Sequence, residues 1–336
     1  MGGNALSRPG LRLDKETYFK VVESTVSSLK SLYPEGRILD IKAYSQKPDF
    51  GDLDVLIYTK NYDPKVAADA LSAKEYAPNG PVTSLGVSLE HLGFDPEDLF
   101  QIDLIYQDAE GFEFASNYFS NNDSGNLFGR IAKSMYTVLR HDGLYFYHRE
   151  GDYKFREILL TQNYDEALLY IGYDPSKFRQ GFETLEDIFK FTVSSEFFNK
   201  SIYALENRNY KAKVRDRKRK TYMEFLKWCE TAKNIPEYVF PETKEVWLSR
   251  IKEYFPKFSI DYAKSISDLE ESRKVRQIFS GSWVSEVSGF EGKKLGALMQ
   301  RIKSQFSSTE EFRSYLLSTT EQDLKQKVLA EMQFIT

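Results

Sequence analysis

Apolar positions along the first third of the chain recur at two different periods. From Asp14 to Tyr33, the residues Tyr18, Val21, Val22, Val26, Leu29 and Leu32 fall three and four apart, which predicts an amphipathic helix. Asp14 offers a capping carboxylate at its start, and "YPEG" stops it. "RILDIKAY" (Arg37 to Tyr44) and "DLDVLIYT" (Asp52 to Thr59) read as strands, joined by a connection too short to hold a full helix. Residues 64–76 carry a helical pattern ended by "APNGP". "PVTSLGVSL" and "LFQIDLIYQ" supply two further strands, and a helix is predicted from Asn126 to Arg140. Beyond about residue 178 the pattern is helical throughout, with aromatic stripes at three- and four-residue spacing that read as core. "PEYVFPE", with two prolines, marks a break between helical subunits. The expected fold class is α+β: a mixed sheet with flanking helices, then an all-helical C-terminal half. The expected boundaries are 1–178, 179–270 and 271–336.

Composition narrows the chemistry. The chain has 336 residues, 41% of them hydrophobic, enough for two or three domains. With a net charge of −4, any contact with nucleic acid has to come from a local basic face. One cysteine, Cys229, rules out an internal disulfide framework and a cysteine-built zinc site. The three histidines, His91, His141 and His148, are too few for a histidine-built metal centre, and His141 and His148 read as structural. No apolar run has bilayer length, and "MGGNALSRPG" lacks the layout of a signal peptide. Leu6 stands where a myristoylation signal requires Ser or Thr. A cytoplasmic protein without a membrane partner is expected. Neither a nucleophile elbow nor a P-loop pattern is present.

The stretch "DFGDLDVLIYT" is the most informative. Asp52 and Asp54 stand at i and i+2, on one face of a strand whose continuation is wholly apolar. Such a pair alone also fits a solvated strand edge. Asp103 changes the balance, because it sits within the apolar strand "FQIDLIY", where an ionised carboxylate is costly unless paired or bound to metal. Three carboxylates on adjacent strands suit two Mg²⁺ ions, with Mn²⁺ as a substitute.

"FGDLDVLI" followed by "FQIDLIY" resembles the palm of the DNA polymerase beta-type nucleotidyltransferases, with G-D-h-D-h-h and then h-D-h (h, hydrophobic). "SLGVSLEHLG" is similar to the palm hairpin ahead of the third aspartate, and "NYFSNNDSGNLFGRIA" (Asn117 to Ala132) to the segment running from a Tyr-Phe pair into an Asn-to-Arg helix. "HDGLYF" and "YDEALLYIGYDPSKF" resemble the end of that region, so the likeness covers about residues 37–178. It implies Asp52, Asp54 and Asp103 as catalytic metal ligands. It also implies Tyr118 and Phe119 at the sugar and base of an incoming nucleotide, and Asn126 and Arg130 reaching the base. Lys133 and Ser134 share a helical face with Asn126 and Arg130. In the preceding loop, "AYSQKPDFGD", Tyr44 replaces the family's glycine, leaving Ser45 and Lys47 as candidates for phosphate contact.

The acceptor is read from basic runs. "RNYKAKVRDRKRKTY" offers Lys211, Lys213, Arg215, Arg217, Lys218, Arg219 and Lys220, interleaved with Tyr210 and Tyr222. It reads equally as a phosphate-binding stripe or a solvated helix face. "GFEGKKLGALMQRIKSQ" adds Lys293 and Lys294; its G-x-x-L-G is similar to the tail of CCA-adding enzymes and poly(A) polymerases, and also fits helix-terminus glycines. The expected activity is Mg²⁺-dependent transfer of a nucleotide from an NTP such as ATP to an RNA 3′-hydroxyl, for example on tRNA. Two rivals remain: transfer to a protein or small molecule, and a catalytically silent RNA-binding protein.

Overall fold

The computed structural model describes residues 5–122 and 124–335; the first four residues, Asp123 and Thr336 lie outside the described residues, and with them part of the amino-terminal reading and one position of the Asn117 to Ala132 segment. The fold is α+β, and the chain divides into two compact units. One comprises residues 1–147 and 157–258, the other residues 148–156 and 259–336.

The first unit is organised around a five-stranded mixed sheet. After a short strand β1 (Leu13–Asp14), helix α1 (Lys15–Leu32) starts on Asp14, whose carboxylate accepts from the Thr17 backbone N–H. Strands β2 (Arg37–Asp40), β3 (Asp49–Phe50) and β4 (Asp52–Tyr58) follow. Then come α2 (Pro64–Ala70), β5 (Ala73–Asn79), β6 (Val82–Ser88) and β7 (Leu99–Tyr106). The sheet order is β2-β4-β7-β6-β5, and only β4 and β7 are parallel. The apolar alternation is obeyed strictly. Leu53, Val55 and Ile57 of β4, with Phe100, Ile102 and Leu104 of β7, pack with Tyr18, Val21, Val22 and Leu29 of α1. Leu56 and Ile105 face the other way, onto Phe112 and Ala115. Residues 64–76 are therefore not one helix. The helix ends at Ala70, and residues 73–79 alternate intermediate and exposed positions as an edge strand closed by the "NG" turn.

Helix α3 (Phe112–Phe119) covers the second face, and α4 (Ser124–Ser134) packs against α3. The predicted helix over 126–140 stops early. Tyr136 turns left-handed at φ 57, and residues 137–140 become β8 (Thr137–Arg140), paired with β9 (Gly143–Glu150). β9 and β10 (Tyr153–Thr161) complete a three-stranded sheet not foreseen in the sequence. The chain then runs through α5 (Tyr164–Tyr170), α6 (Pro175–Arg179), α7 (Leu185–Val193), α8 (Tyr210–Arg217), α9 (Lys220–Thr231) and α10 (Lys244–Tyr254). Their aromatic stripes form the interior, with Tyr170, Phe198, Tyr203, Tyr222, Phe225 and Trp247 fully buried. Two of these hydroxyls find carbonyl partners, Tyr222 donating to Tyr203 at 2.7 Å and Tyr203 to Leu127 at 3.0 Å, whereas the Tyr170 hydroxyl is buried without one.

The second unit takes the tip of the β9–β10 hairpin and most of α11 (Pro256–Ile278). It continues as α12 (Gly281–Ser288), α13 (Gly292–Ser304), α14 (Thr309–Ser318) and α15 (Glu321–Met332), around a core of Val284, Leu298, Ile302, Leu316, Leu324 and Val328. His148 is buried there, its Nδ1 2.7 Å from Ser265 Oγ, in the structural role expected. Gly289, left-handed at φ 69, caps α12, and Gly292, at φ 54, opens α13. Among the described residues no helix is long and apolar enough to cross a membrane.

Candidate metal centre and cleft

The strict alternation of β4 determines where its acidic residues go. Positions 53, 55 and 57 face the α1 side, so Asp52 and Asp54 share the face of Leu56. In the parallel neighbour, Asp103 registers directly opposite Asp54, and Gln101 opposite Asp52. One oxygen from each of Asp52, Asp54 and Asp103 lies within 4.8 Å of the others. Among the described residues no other group of three Asp, Glu, His or Cys side chains meets this way.

The cluster is electrostatically strained. Burial, then the Asp52 and Asp103 carboxylates, push the Asp54 carboxyl well above the usual carboxylate range, opposed only in part by Lys47. Burial also raises Asp103, opposed by a hydrogen bond from Ser84 and by Gln101, whose Nε2 donates to both carboxylate oxygens at 2.9 Å. Lys47 is itself pushed down by burial, against the pull of Asp52 and Asp54. A single half-buried ammonium therefore does not balance three carboxylates. An all-oxygen, excess-negative donor set is what a hard divalent cation such as Mg²⁺ favours, and the residues present fit it.

The carboxylates Asp52 and Asp54 open into a cleft of about 820 Å³. One wall is the loop from Ile41 to Phe50, pinned by backbone bonds from Ser45 to the Phe182 carbonyl and from Gln46 to the Glu183 carbonyl, both 2.9 Å. Arg12, ion-paired with Asp49, closes its rim. A second wall is Tyr118 and Phe119 at the end of α3, with Asn126 in the first turn of α4. Gly125 makes this wall possible, since a Cβ there would stand 2.7 Å from the Tyr118 carbonyl and 2.9 Å from its ring. Phe119 stacks on His141 at 5.8 Å between ring centroids. The third wall is mainly cationic: Arg215 from α8, Arg219 between the helices, and Lys220 opening α9, set against one carboxylate, Glu224, 3.9 Å from the Lys220 ammonium.

The residues singled out from sequence divide accordingly. Asp52, Asp54, Lys47, Tyr118, Phe119, Asn126, Arg215, Arg219 and Lys220 line the cleft, and Asp103 joins through the carboxylate cluster. Ser45 is exposed and does not line it; its backbone N–H is spent on the Phe182 carbonyl. Arg130, expected at the base of a nucleotide, is instead buried, its Nη2 2.7 Å from Asp216, and with Lys133 it lines a separate cavity. The basic run is not one continuous stripe either. It folds into two helices around Asp216, which is fully buried, and Tyr222 is core rather than surface. Lys211, Arg217 and Lys218 are exposed and Lys213 half-buried, outside the cleft lining. Lys293 and Lys294 are exposed in the first turn of α13, in the second unit. Of the residues missed, His141 had a legible cue: "TVLRHDGLYFYH" places it at a D-G hairpin turn between alternating strands. Arg12 and Lys42 had none, since their place depends on how distant loops close.

No protein-family model matches the chain, and no curated protein matches it.

Proposed function

We propose that the chain is a divalent-metal-dependent nucleotidyltransferase, moving a nucleotide from an NTP to the 3′-hydroxyl of an RNA with release of pyrophosphate. The observation carrying this reading is the meeting of Asp52, Asp54 and Asp103 within 4.8 Å at a cleft whose facing wall is Arg215, Arg219 and Lys220. Held by those three carboxylates, two Mg²⁺ ions (or Mn²⁺) supply charge neutralisation at the α-phosphorus and a lowered pKa for the attacking hydroxyl. The remaining work falls to the chain itself. Lys47 and the cationic wall balance the triphosphate. Tyr118 and Phe119 offer ring faces to sugar and base, and Asn126 an amide for a base edge. Asp103, fixed by Gln101 and Ser84, is poised to accept the hydroxyl proton. The exposed Lys211, Arg217 and Lys218 beside this wall give an RNA acceptor a place for its phosphates.

The test is incorporation of each labelled NTP, with Mg²⁺ or Mn²⁺, into a mixed tRNA pool, with Asp52→Asn/Asp54→Asn alongside. Label on RNA that disappears in the variant is the expected result. Pyrophosphate released without label on RNA would move the acceptor to a protein or small molecule. Absence of both products would overturn the enzymatic reading.

A further inference from the structure

A second cavity lies in the same unit, lined by the C-terminal half of α4 and by residues 201–208. On α4, Asn126 lines the carboxylate cleft, whereas Arg130, Lys133 and Ser134, one and two turns later, line a cavity of about 350 Å³ with Ser201, Asn207 and Arg208. On α8, Arg215 faces the cleft, while its neighbour Asp216 is turned inward and fully buried.

The charges around this cavity do not balance. The Arg130 and Arg208 side chains are each only 8% exposed, and both lean on the same carboxylate oxygen, Asp216 Oδ2, at 2.7 and 3.3 Å. Arg215 adds a third guanidinium at 3.7 Å from Oδ1. One carboxylate thus serves three guanidiniums, and the Lys133 ammonium adds further positive charge at the mouth. Each guanidinium carries five N–H groups. Arg130 donates one to Asp216 and Arg208 one, and Arg130 Nε is buried with no hydrogen-bond partner. Asp216 Oδ1 is likewise buried without one, so the carboxylate does not consume the remaining donors. Buried guanidinium forks left with open N–H groups, beside a lysine and the Ser201 hydroxyl, match the tetrahedral oxygens of one anion in particular; the Ser134 hydroxyl is already spent on the Arg130 carbonyl at 3.2 Å.

We propose that this cavity is a phosphate-binding site, distinct from the carboxylate cleft and independent of the activity assigned to it. Its ligand is a phosphate group, either of a polynucleotide backbone or of a free phosphate compound. The two arginines grip it from within, and Lys133 neutralises it from the rim.

Calorimetric titration of inorganic phosphate into the full chain, in EDTA and against chloride at matched ionic strength, reads the site directly. Phosphate binding that Lys133→Glu weakens by about tenfold or more, and that Lys220→Glu in the cleft wall leaves nearly unchanged, is the expected result. Because Lys133 is exposed, its replacement does not threaten folding. Arg208→Lys, which keeps a charge beside Asp216 but loses the fork, is expected to weaken phosphate while preserving the near-UV circular dichroism. No phosphate binding, or binding lost in Lys220→Glu and kept in Lys133→Glu, would overturn the proposal. Repeating the titration with a short single-stranded oligoribonucleotide present separates the sources. Displacement of phosphate assigns the site to a backbone phosphate; undiminished binding assigns it to a free phosphate compound.

Discussion

Replacing Asp54 with asparagine removes one carboxylate from the Asp52, Asp54 and Asp103 cluster and should make the metal-free protein more stable. Among the described residues no hydrogen-bond donor reaches the Asp54 carboxylate, whereas Asp103 has Gln101 and Ser84. At the 4.8 Å limit of the cluster, and with an effective dielectric of about 20, each like-charge pair costs about 3.5 kcal/mol. Asp54 takes part in two of the three pairs. Lys47 and partial protonation absorb much of that, leaving a net gain of about 1–3 kcal/mol on substitution. At about 2–4 °C per kcal/mol in a domain of this size, thermal unfolding in EDTA at neutral pH should shift upward by several degrees. The sign with pH follows from the raised folded-state pKa. The Asp54 contribution is favourable below its unfolded pKa, near 3.9, and is lost as pH rises through the folded value. The advantage of Asp54→Asn should therefore grow from acid toward neutral pH. If the cluster holds Mg²⁺ as proposed, the ion at about 100 times its dissociation constant contributes ~2.7 kcal/mol to the wild type and much less to a variant lacking a ligand oxygen, which should cancel most of that advantage or reverse it. Scanning calorimetry with and without Mg²⁺ measures both. A variant less stable than wild type in EDTA, with native circular dichroism, would refute the reasoning and show the carboxylates to be compensated by protein groups.

Three further outcomes are expected. Asp216→Asn should destabilise the first unit by about 3–5 kcal/mol in urea unfolding, because it strands buried guanidiniums that share one carboxylate. Lys220→Gln and Arg219→Gln should each weaken NTP binding in equilibrium dialysis, with an effect that shrinks as salt is raised, since both line the cleft opposite the carboxylates. The Cys229 thiol, pushed up to about 12 by burial, should react slowly with a disulfide reagent at pH 8 and at normal rates once urea unfolds the chain. Its stabilising contribution is whole below the unfolded thiol pKa, about 8.5, and is lost as pH rises toward 12.

What the sequence made legible was what local period and chemistry determine. The α1 helix with its Asp14 cap, the apolar strand behind Asp52 and Asp54, and the aromatic interior of the helical half all follow from spacing alone. The pairing of Asp103 with Asp54 was legible as an energetic argument, a carboxylate too costly to bury alone, before any register was known. Two kinds of feature stayed hidden. Residues 73–79 and 137–140 took strand conformation because a neighbouring strand supplied hydrogen bonds, a non-local cause that a helical window overrides. Arg130 was expected at a nucleotide base and Arg208 at the start of a basic run, because nothing nearby in sequence announces that Asp216, up to 86 positions away, will draw both side chains inside.

The parallel register of β4 and β7 also has a meaning in time. Two parallel neighbours need a long excursion between them, and here the chain passes through α2, β5 and β6 before Asp103 arrives beside Asp54. During synthesis, then, Asp52 and Asp54 emerge early and stand without their third partner until β7 has left the ribosome, and the cationic wall of α8 and α9 follows more than a hundred residues later. A nascent chain released before that point has the acidic pair but neither the completed cluster nor the counter-charge of the cleft. On the proposed metal-binding reading, acquisition of Mg²⁺ binding would mark the moment at which the sheet closes, making the ion a reporter of topology.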